Sequence, residues 1–423
     1  MFEIEGHLEC RHGHLFIGGA DCVGIAEEFG TPLYVTHEQR IRDNLRTIKR
    51  AFPNAELLYA VKANGNLAIM RIIAQEGAGA DVFSSGELYM ALLAGFPKDK
   101  ILFNGNSKSD EDLRGAVESG VMVSVDSMME LESLSMMADA RGNEVKIAFR
   151  VNPDVSPQTH PKIATGLRTS KFGIPSEQII NAYERAVELP GVVPVGIHFH
   201  IGSQILSVSP FAEALEKVLG IVKELLNRGI ELEFVDMGSG LGIPYEKDKK
   251  APTPQELADA VLPIFEEWCE ENGVYPKLIL EPGRYVVGDS TVLLTRVNSV
   301  KGKFVAVDAG FNLLIRPVMY DAYHHVVVAN KVDVPPDKTY TIVGPICESG
   351  DILAKDRRLP KIEKGDVIAV LDVGAYGFAM SSQYNGQPRC AEVLVQKGRA
   401  ELIRRRETFS DLIHTQIVPE RLL

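Results

Sequence analysis

Short apolar runs alternate with longer amphipathic stretches between about residue 35 and residue 290 of the chain. The runs are rich in Val, Ile and Phe, which favours β-strands, and the stretches space their apolar residues about 3.6 positions apart, which predicts helices. The eight predicted strands are Leu57–Ala63, Ala80–Phe83, Ile101–Asn104, Val121–Asp126, Val145–Val151, Val193–Ile201, Leu232–Met237 and Lys277–Glu281. Eight strand–helix units in about 250 residues predict an α/β protein with a (β/α)8 barrel, and an open doubly wound sheet is the alternative.

The pattern changes after about residue 290. Short Val-rich runs with alternating polarity follow one another there, separated by Gly and Pro turns. This pattern predicts a second, mostly β C-terminal domain. Because the first residues of the chain are also strand-like, we expect a barrel over residues 30–290 and a β domain formed by residues 1–29 together with 291–423.

The chain has 423 residues, and 45 Lys and Arg against 57 Asp and Glu give it a formal net charge of −12. Such an acidic chain repels phosphate backbones, so we expect no nucleic-acid partner. The five cysteines are widely spread and contain no CxxC pair, which favours a reducing compartment. The N-terminus is unlike a signal peptide, and the uncharged stretch 189–212 carries three prolines, so we expect a cytoplasmic protein without a membrane segment.

Polar residues follow each predicted strand, at the end of a barrel where functional groups collect. They are Lys62, Asp81, Asn104, Asp126, Arg150, His198, His200, Glu281 and Arg284, with the glycines Gly238, Gly240 and Gly242. Lys62 stands alone in an otherwise uncharged segment. An amine kept neutral at such a site can form a Schiff base, whereas a lysine that snorkels from a strand end is the plainer interpretation.

Two histidines, His198 and His200, lie two positions apart in a predicted strand and would therefore face the same side. Such a pair could bind a metal ion if Asp81 or Glu281 supplied further ligands. The alternative is one histidine in the core and one in a functional site. Sequence alone leaves both interpretations open.

Three further patterns also allow two interpretations each. The glycine-rich segment 236–245 is either a tight turn or a phosphate-binding loop, since barrels often bind phosphate after their seventh and eighth strands. Glu281 either pairs with Arg284 or faces a protonated heterocyclic nitrogen. Cys347, next to Glu348 in a predicted loop, is either an inert thiol or a proton donor.

Eight motifs in one order resemble those of the diaminopimelate decarboxylase family, which belongs to the alanine-racemase-like, fold type III class of pyridoxal phosphate enzymes. The motifs are YAVKANGN, ATGLRTSKFGI, HFHIGSQI, GSGLGIPY, EPGRYVV, IRPVMYDAYH, GPICESGDILAKDR and GAYGFAMSSQYN. The resemblance covers nearly the whole chain. It implies a barrel that binds pyridoxal 5'-phosphate, a C-terminal β domain and a homodimer whose active sites lie at the subunit interface.

The resemblance also implies a reaction and a set of residues. The reaction is decarboxylation of meso-2,6-diaminopimelate at its D-centre to L-lysine and CO2, the last step of lysine biosynthesis. Lys62 is implied as the Schiff-base lysine and His200 as a stacking group on the pyridine ring. Cys347 and Glu348 are implied as groups that enter the partner's site. The implied cofactor-binding residues are Lys62, Asp81, His200, Ser203, Gly240, Glu281, Gly283, Arg284 and Tyr376. The implied substrate-binding residues are Arg284, Arg316, Tyr320, Glu348 and Tyr376, and no metal is expected.

Two short segments of the chain depart from the usual sequence of the family. Ser239 stands where the family commonly has Gly, and Phe-Asn-Leu at 311–313 replaces the usual Met-Asn-Asp.

Three alternative functions remain: a decarboxylase for another amino acid, a metal-dependent barrel hydrolase and a non-catalytic homologue. An acid for the distal amine together with arginines for a distal carboxylate favours diaminopimelate over ornithine or lysine.

Overall fold

The computed structural model describes residues 7–156, 160, 163, 165, 170–246 and 248–423. The chain divides into two compact units. One is formed by Arg42–Val286, and the other by Met1–Ile41 together with Val287–Leu423. We call them the barrel unit and the β unit.

The barrel unit contains a closed ring of eight parallel strands within the described residues. In chain order, the first to eighth barrel strands are Glu56–Ala60, Gly79–Val82, Ile101–Phe103, Met122–Val125, Val145–Asn152, Val192–His198, Phe234–Asp236 and Lys277–Leu280. Each strand pairs with the next one, and the eighth pairs with the first through Ile279 opposite Glu56. This closure confirms the predicted (β/α)8 barrel and excludes the open sheet. A short strand, Ile174–Pro175, pairs with the end of the fifth barrel strand.

Helices follow the barrel strands where the sequence carries capping signals. They are Leu67–Gln75, Ser85–Ala94, Asp110–Ser119, Met128–Asp139, Ile179–Glu188, Ser209–Leu226, Pro254–Asn272 and Arg284–Val287, and the helix Glu38–Ala51 precedes the first strand. Ser109 and Thr253 each form a capping box with the acidic residue three positions later. Gly120 and Gly273 end the same two helices in the left-handed conformation.

The interior of the barrel is apolar in one part and polar in another. Leu58, Leu102, Ala148, Val195, Phe234 and Ile279 form an apolar cluster. Gly196 makes room in it, because a Cβ at that position would lie 2.2 Å from the Phe234 ring. A second buried set, at or next to the carboxyl ends of the strands, is polar: Asp81, Asn104, Ser124, Arg150, His198, Asp236 and Glu281.

The two units divide at residues 41–42 and 286–287, whereas the sequence placed the limits at residues 30 and 290. The difference at the first limit comes from the strand Leu33–His37. This strand pairs antiparallel with Thr291–Lys301 and parallel with Ala391–Gln396, so its neighbours are strands of the β unit. Its apolar pattern resembles that of a barrel strand, and only its pairing partners show that it belongs to the β unit.

The β unit contains a three-stranded and a nine-stranded sheet among its described residues. The first sheet is Leu8–Arg11, His14–Ile17 and Ala20–Asp21, and the second is Leu33–His37, Thr291–Lys301, Phe304–Val307, Val326–Val328, Lys338–Val343, Ile352–Leu359, Val367–Val370, Ala391–Gln396 and Arg399–Arg404. Its helices are Cys22–Phe29, Arg316–Tyr320 and Phe409–Ile413. The predicted mostly β second domain is therefore confirmed.

None of the helices among the described residues combines the length and the apolar composition that a membrane crossing requires. The uncharged stretch 189–212 folds as the sixth barrel strand, a loop and the start of the helix Ser209–Leu226.

Candidate active site

Lys62 lies in a 3-10 turn, Val61–Ala63, directly after the first barrel strand. Its Nζ forms an ion pair with the carboxylate of Asp81, the third residue of the second strand. Asp81 is fully buried, and the Phe83 ring centroid lies 4.7 Å from the lysine Nζ. The amine of Lys62 is therefore oriented toward a buried carboxylate, while 34% of its side chain remains exposed.

Asn104 connects this ion pair to the eighth strand. Its Nδ2 donates to Oδ1 of Asp81 at 2.7 Å and to Oε1 of Glu281 at 2.6 Å. Asn104 is fully buried at the end of the third strand. A continuous chain of polar contacts therefore runs from Lys62 through Asp81 and Asn104 to Glu281.

The pKa values of two buried carboxyl groups of this site are shifted in opposite directions. Burial opposes ionisation of Glu281, but the neighbouring charges of His198 and Lys62 hold the pKa of Glu281 well below its ordinary range. Burial, and next the charge of Glu281, raise the pKa of Asp236 well above its ordinary value. Near neutral pH this favours an ionised Glu281 beside a protonated Asp236, as expected when two carboxyl groups share one site.

The two histidines of the HFH sequence occupy different positions. His198 ends the sixth barrel strand, whereas His200 lies beyond it, so the prediction of a shared strand was wrong for His200. Burial lowers the pKa of His200 to about 3, helped by the nearby charges of Arg150 and Lys62. His200 is therefore neutral at physiological pH, and its Nδ1 accepts a hydrogen bond from the backbone N–H of Ser239 at 3.3 Å.

The loops after the sixth and seventh strands pair with each other through Ile205 and Leu241. Gly240 has a φ of +119°, and a Cβ there would lie 2.0 Å from the carbonyl oxygen of Gly202. This contact explains why the loop needs glycine at position 240.

Arg284 lies at the start of a short helix after the eighth strand. It donates from Nη2 to Oγ of Ser203 at 3.0 Å and from Nη1 to the hydroxyl of Tyr245 at 2.7 Å. Gly283 precedes it, and a Cβ there would lie 3.0 Å from Cβ of Ala60. Arginine, serine and a close-packed glycine loop together form a cradle whose chemistry fits a phosphate group.

A metal ion is the rival ligand for the barrel site. Among the described residues, donor atoms of His198, Asp236 and Glu281 lie within 4.8 Å of one another and could hold a cation. However, the Asn104 amide donates to Glu281, and the raised pKa of Asp236 favours its neutral form. Both features favour a hydrogen-bonded cluster over a cation site.

The remaining predicted residues, Arg316, Tyr320, Cys347, Glu348 and Tyr376, lie in the β unit. Arg316 and Tyr320 begin and end one short helix, and Tyr376 adopts a left-handed φ of +58°. Cys347 and Glu348 are exposed neighbours in the predicted loop, between the strands Lys338–Val343 and Ile352–Leu359.

Two neighbours of that loop escaped the sequence argument. Asn385 accepts a hydrogen bond from the backbone N–H of Cys347 at 3.0 Å, and its Nδ2 lies 3.2 Å from the cysteine Sγ. Tyr384 donates from its hydroxyl to Oε1 of Glu348 at 2.8 Å. Both residues belong to the motif GAYGFAMSSQYN. Nothing in the spacing of that motif indicated that they contact Cys347 and Glu348. In the motif ATGLRTSKFGI, Ala164 and residues 166–169 lie outside the described residues.

Comparisons with known proteins show the family to which the chain belongs. Residues 38–288 match the pyridoxal-binding domain of the pyridoxal-dependent decarboxylases. The chain is 61% identical over 414 residues to a diaminopimelate decarboxylase of Archaeoglobus fulgidus, covering 97% of this chain and 99% of that protein. A crystal structure of the Methanocaldococcus jannaschii diaminopimelate decarboxylase matches with a TM-score of 0.94 and 44% identity, over 99% of both chains. The chain belongs to the diaminopimelate decarboxylase family of pyridoxal-dependent decarboxylases.

Proposed function

We propose that this protein removes CO2 from the D-centre of meso-2,6-diaminopimelate and releases L-lysine, with pyridoxal 5'-phosphate as cofactor. The observation that carries the proposal is the continuous polar chain from Lys62 to Glu281 in a barrel of this family. A related protein, the diaminopimelate decarboxylase of M. jannaschii at 44% identity, has been crystallised in complex with L-lysine. Membership of the family and that complex both support the same substrate class here.

The barrel residues fit the cofactor group by group. Lys62 offers an amine for covalent attachment, and His200 offers the face of a neutral ring. Ser203, Gly240, Gly283 and Arg284 form the cradle for the phosphate, and we assign Tyr376 to the same group. Pyridoxal phosphate, when bound, supplies an electron-accepting pyridinium that accommodates the electron pair left by departing CO2. Glu281, held ionised, is the charge partner for a protonated ring nitrogen.

The proton that replaces CO2 at the α-carbon needs a donor. We assign this role to the thiol of Cys347, which lies on an exposed loop next to Glu348. We infer a homodimer in which Cys347 and Glu348 of one subunit complete the site of its partner. Because both side chains are exposed on a loop, they are accessible to a second subunit, which supports this inference.

All five cysteines are free thiols, which supports a reducing, cytoplasmic location.

The distal end of the substrate carries both an amine and a carboxylate. We assign Glu348 to the amine, Arg284 and Arg316 to the carboxylate, and Tyr320 and Tyr376 to further contacts with the substrate. Arg316 is buried, and its Nη1 donates to Nε2 of His324 at 2.7 Å. His324 can accept this bond because its Nδ1 lies 2.9 Å from the carbonyl of Leu371 and donates to it. These two hydrogen bonds therefore orient the Arg316 guanidinium before a substrate binds.

A panel of amino acids tests the proposed activity. We expect CO2 release from meso-diaminopimelate, with little release from L-lysine, L-ornithine or L-arginine, because those three lack a distal carboxylate on a second α-centre. Faster release from any of the three would replace the proposed substrate with that amino acid.

Subunit exchange tests the shared site. Lys62→Ala and Cys347→Ala should each be nearly inactive alone, but mixed subunits should regain activity, because a heterodimer contains one site with both residues intact. The measurement is CO2 release before and after exchange, with heterodimer formation followed by native mass spectrometry. Heterodimers without recovered activity would place Cys347 in its own subunit's site or outside the reaction.

Substitution of Arg316 tests substrate choice. Loss of a charge-assisted pair should cost about 2–4 kcal/mol, so kcat/KM of Arg316→Met for meso-diaminopimelate should fall by roughly 30- to 1000-fold. Discrimination against L-lysine should shrink in parallel, while the visible spectrum of the bound cofactor stays unchanged. Arg358→Met, at an exposed position of the β unit, is the matched control. Activity near wild type in Arg316→Met would show that Arg316 does not hold the carboxylate.

A further inference from the structure

His198 is a buried histidine for which the proposed reaction gives no task. It ends the sixth barrel strand and is only 1% exposed. Its Nε2 lies 3.4 Å from Oε2 of Glu281, and its Nδ1 lies 2.9 Å from the hydroxyl of Ser124 on the fourth strand. The ring therefore stands between two strands and touches the carboxylate assigned to the cofactor.

The arrangement determines which ring nitrogen carries hydrogen. A lone pair on Nε2 would face a carboxylate, which is repulsive, whereas the positive end of an N–H at Nε2 would be attracted to it. The Ser124 hydroxyl can donate to Nδ1 of a neutral ring or accept from Nδ1 of a protonated ring, so it supports Nε2–H in both cases. The carboxylate of Glu281 therefore favours the Nε2–H form of His198, and the Ser124 hydroxyl, which can donate or accept at Nδ1, accommodates that form.

His198 and Asn104 divide the two oxygens of Glu281 between them. Asn104 donates to Oε1 at 2.6 Å, and His198 faces Oε2. The Glu281 carboxylate therefore has a hydrogen-bond donor at one oxygen and an imidazole within ion-pair distance of the other, and both contacts restrict its orientation. Asp236 is the third neighbour, and burial, followed by the charge of Glu281, raises its pKa, which lessens the repulsion between the two carboxyl groups.

We propose that His198, supported by Ser124, is a positioning residue that keeps the Glu281 carboxylate ionised and aimed at the ring nitrogen of the cofactor. The inference rests on the proposed function, because that nitrogen belongs to pyridoxal phosphate. The titratable and charged groups that face Glu281 are Lys62, Asp81, Arg150, His198, His200 and Asp236. Lys62 and Arg150 remain as cations when His198 is removed, so the expected effect is partial.

A double-mutant cycle with Glu281 tests this role. Loss of the His198 contact with the charged Glu281 carboxylate should lower kcat of His198→Leu by roughly 10- to 100-fold. The dissociation constant for pyridoxal phosphate should rise, and the pH dependence of the visible spectrum of the bound cofactor should shift. His198→Gln, whose amide can still donate to Glu281, should recover most of both properties. In a Glu281→Gln background, His198→Leu should have little further effect.

The outcomes separate a positioning role from packing and from failure of the proposed function. Equal losses from His198→Leu in the wild-type and Glu281→Gln backgrounds would overturn the inference, because the histidine would then act independently of Glu281. Should His198→Leu not fold, Ser124→Ala takes its place, with a smaller loss that must likewise vanish in the Glu281→Gln background. A wild-type protein that neither binds pyridoxal phosphate nor releases CO2 would instead overturn the proposed function.

Discussion

Lys62→Ala should remove the visible absorbance of the bound cofactor and nearly all CO2 release. Lys62 is the amine that lies in the turn after the first strand, in contact with the buried Asp81, and alanine cannot bind the cofactor covalently. We expect a loss of at least roughly 1000-fold in kcat/KM, which corresponds to about 4 kcal/mol of transition-state stabilisation. Borohydride reduction followed by peptide mass mapping should locate the cofactor on Lys62 in the wild-type protein.

Two control variants distinguish covalent attachment from charge. Lys62→Arg keeps a cation beside Asp81 but cannot be attached covalently, so it should be as inactive as the alanine variant. Lys277→Ala removes an exposed lysine at the amino end of the eighth strand and should behave as wild type. A cofactor still attached in Lys62→Ala would move the assignment to another lysine. Lys108 would be a poor replacement, because its buried Nζ is held by Glu130 at 2.6 Å and by two backbone carbonyls.

Glu281→Gln should be the second most damaging substitution. The variant keeps the size of the side chain and its position next to Asn104 but removes the charge that pairs with a protonated ring nitrogen. Loss of one partner from a buried charge pair costs about 2–5 kcal/mol, so kcat/KM should fall by roughly 30- to 5000-fold. Steady-state kinetics with meso-diaminopimelate and the pH dependence of the cofactor spectrum measure the effect.

The pH dependence of that variant follows from the direction of the pKa shift. In the wild-type protein, the pKa of Glu281 is held far below neutrality, so its charge is present throughout the physiological range. The ring-nitrogen partner should therefore stay protonated to a higher pH in wild type than in Glu281→Gln. A spectrum with the same pH dependence in both proteins would separate Glu281 from the ring nitrogen. Glu130→Gln, at a buried acid that pairs with Lys108 and is not part of the polar chain from Lys62 to Glu281, provides a comparison for the cost of altering a buried ion pair.

The barrel could be predicted from the sequence because the signals that define its strands and helices lie close to those elements along the chain. Apolar runs, capping residues and glycine stops each lie within a few positions of the element that they define, as at Ser109 and Thr253. Residues at strand ends could be grouped into one site because parallel barrel strands present their carboxyl ends together. Lys62, Asp81, Asn104 and Glu281 meet in this way although they come from four different strand ends.

The partners within the site could not be predicted, because they depend on side-chain geometry between distant strands. Asn104 and Glu281 are 177 positions apart, and nothing in either segment indicates that one amide bridges two carboxylates. The two histidines illustrate the same limit. Alternation placed His198 and His200 on one strand, but the strand ends at His198, and the chain then turns so that His200 meets the Ser239 backbone.

The most direct test of the proposed function measures both products and their handedness. Purified protein with pyridoxal 5'-phosphate and meso-diaminopimelate should release CO2 and L-lysine in equal amounts, because the reaction proposed here removes only the carboxylate at the D-centre. Lys62→Ala, assayed in parallel, should release neither. Formation of D-lysine, CO2 without lysine, or full activity without the cofactor would contradict the account.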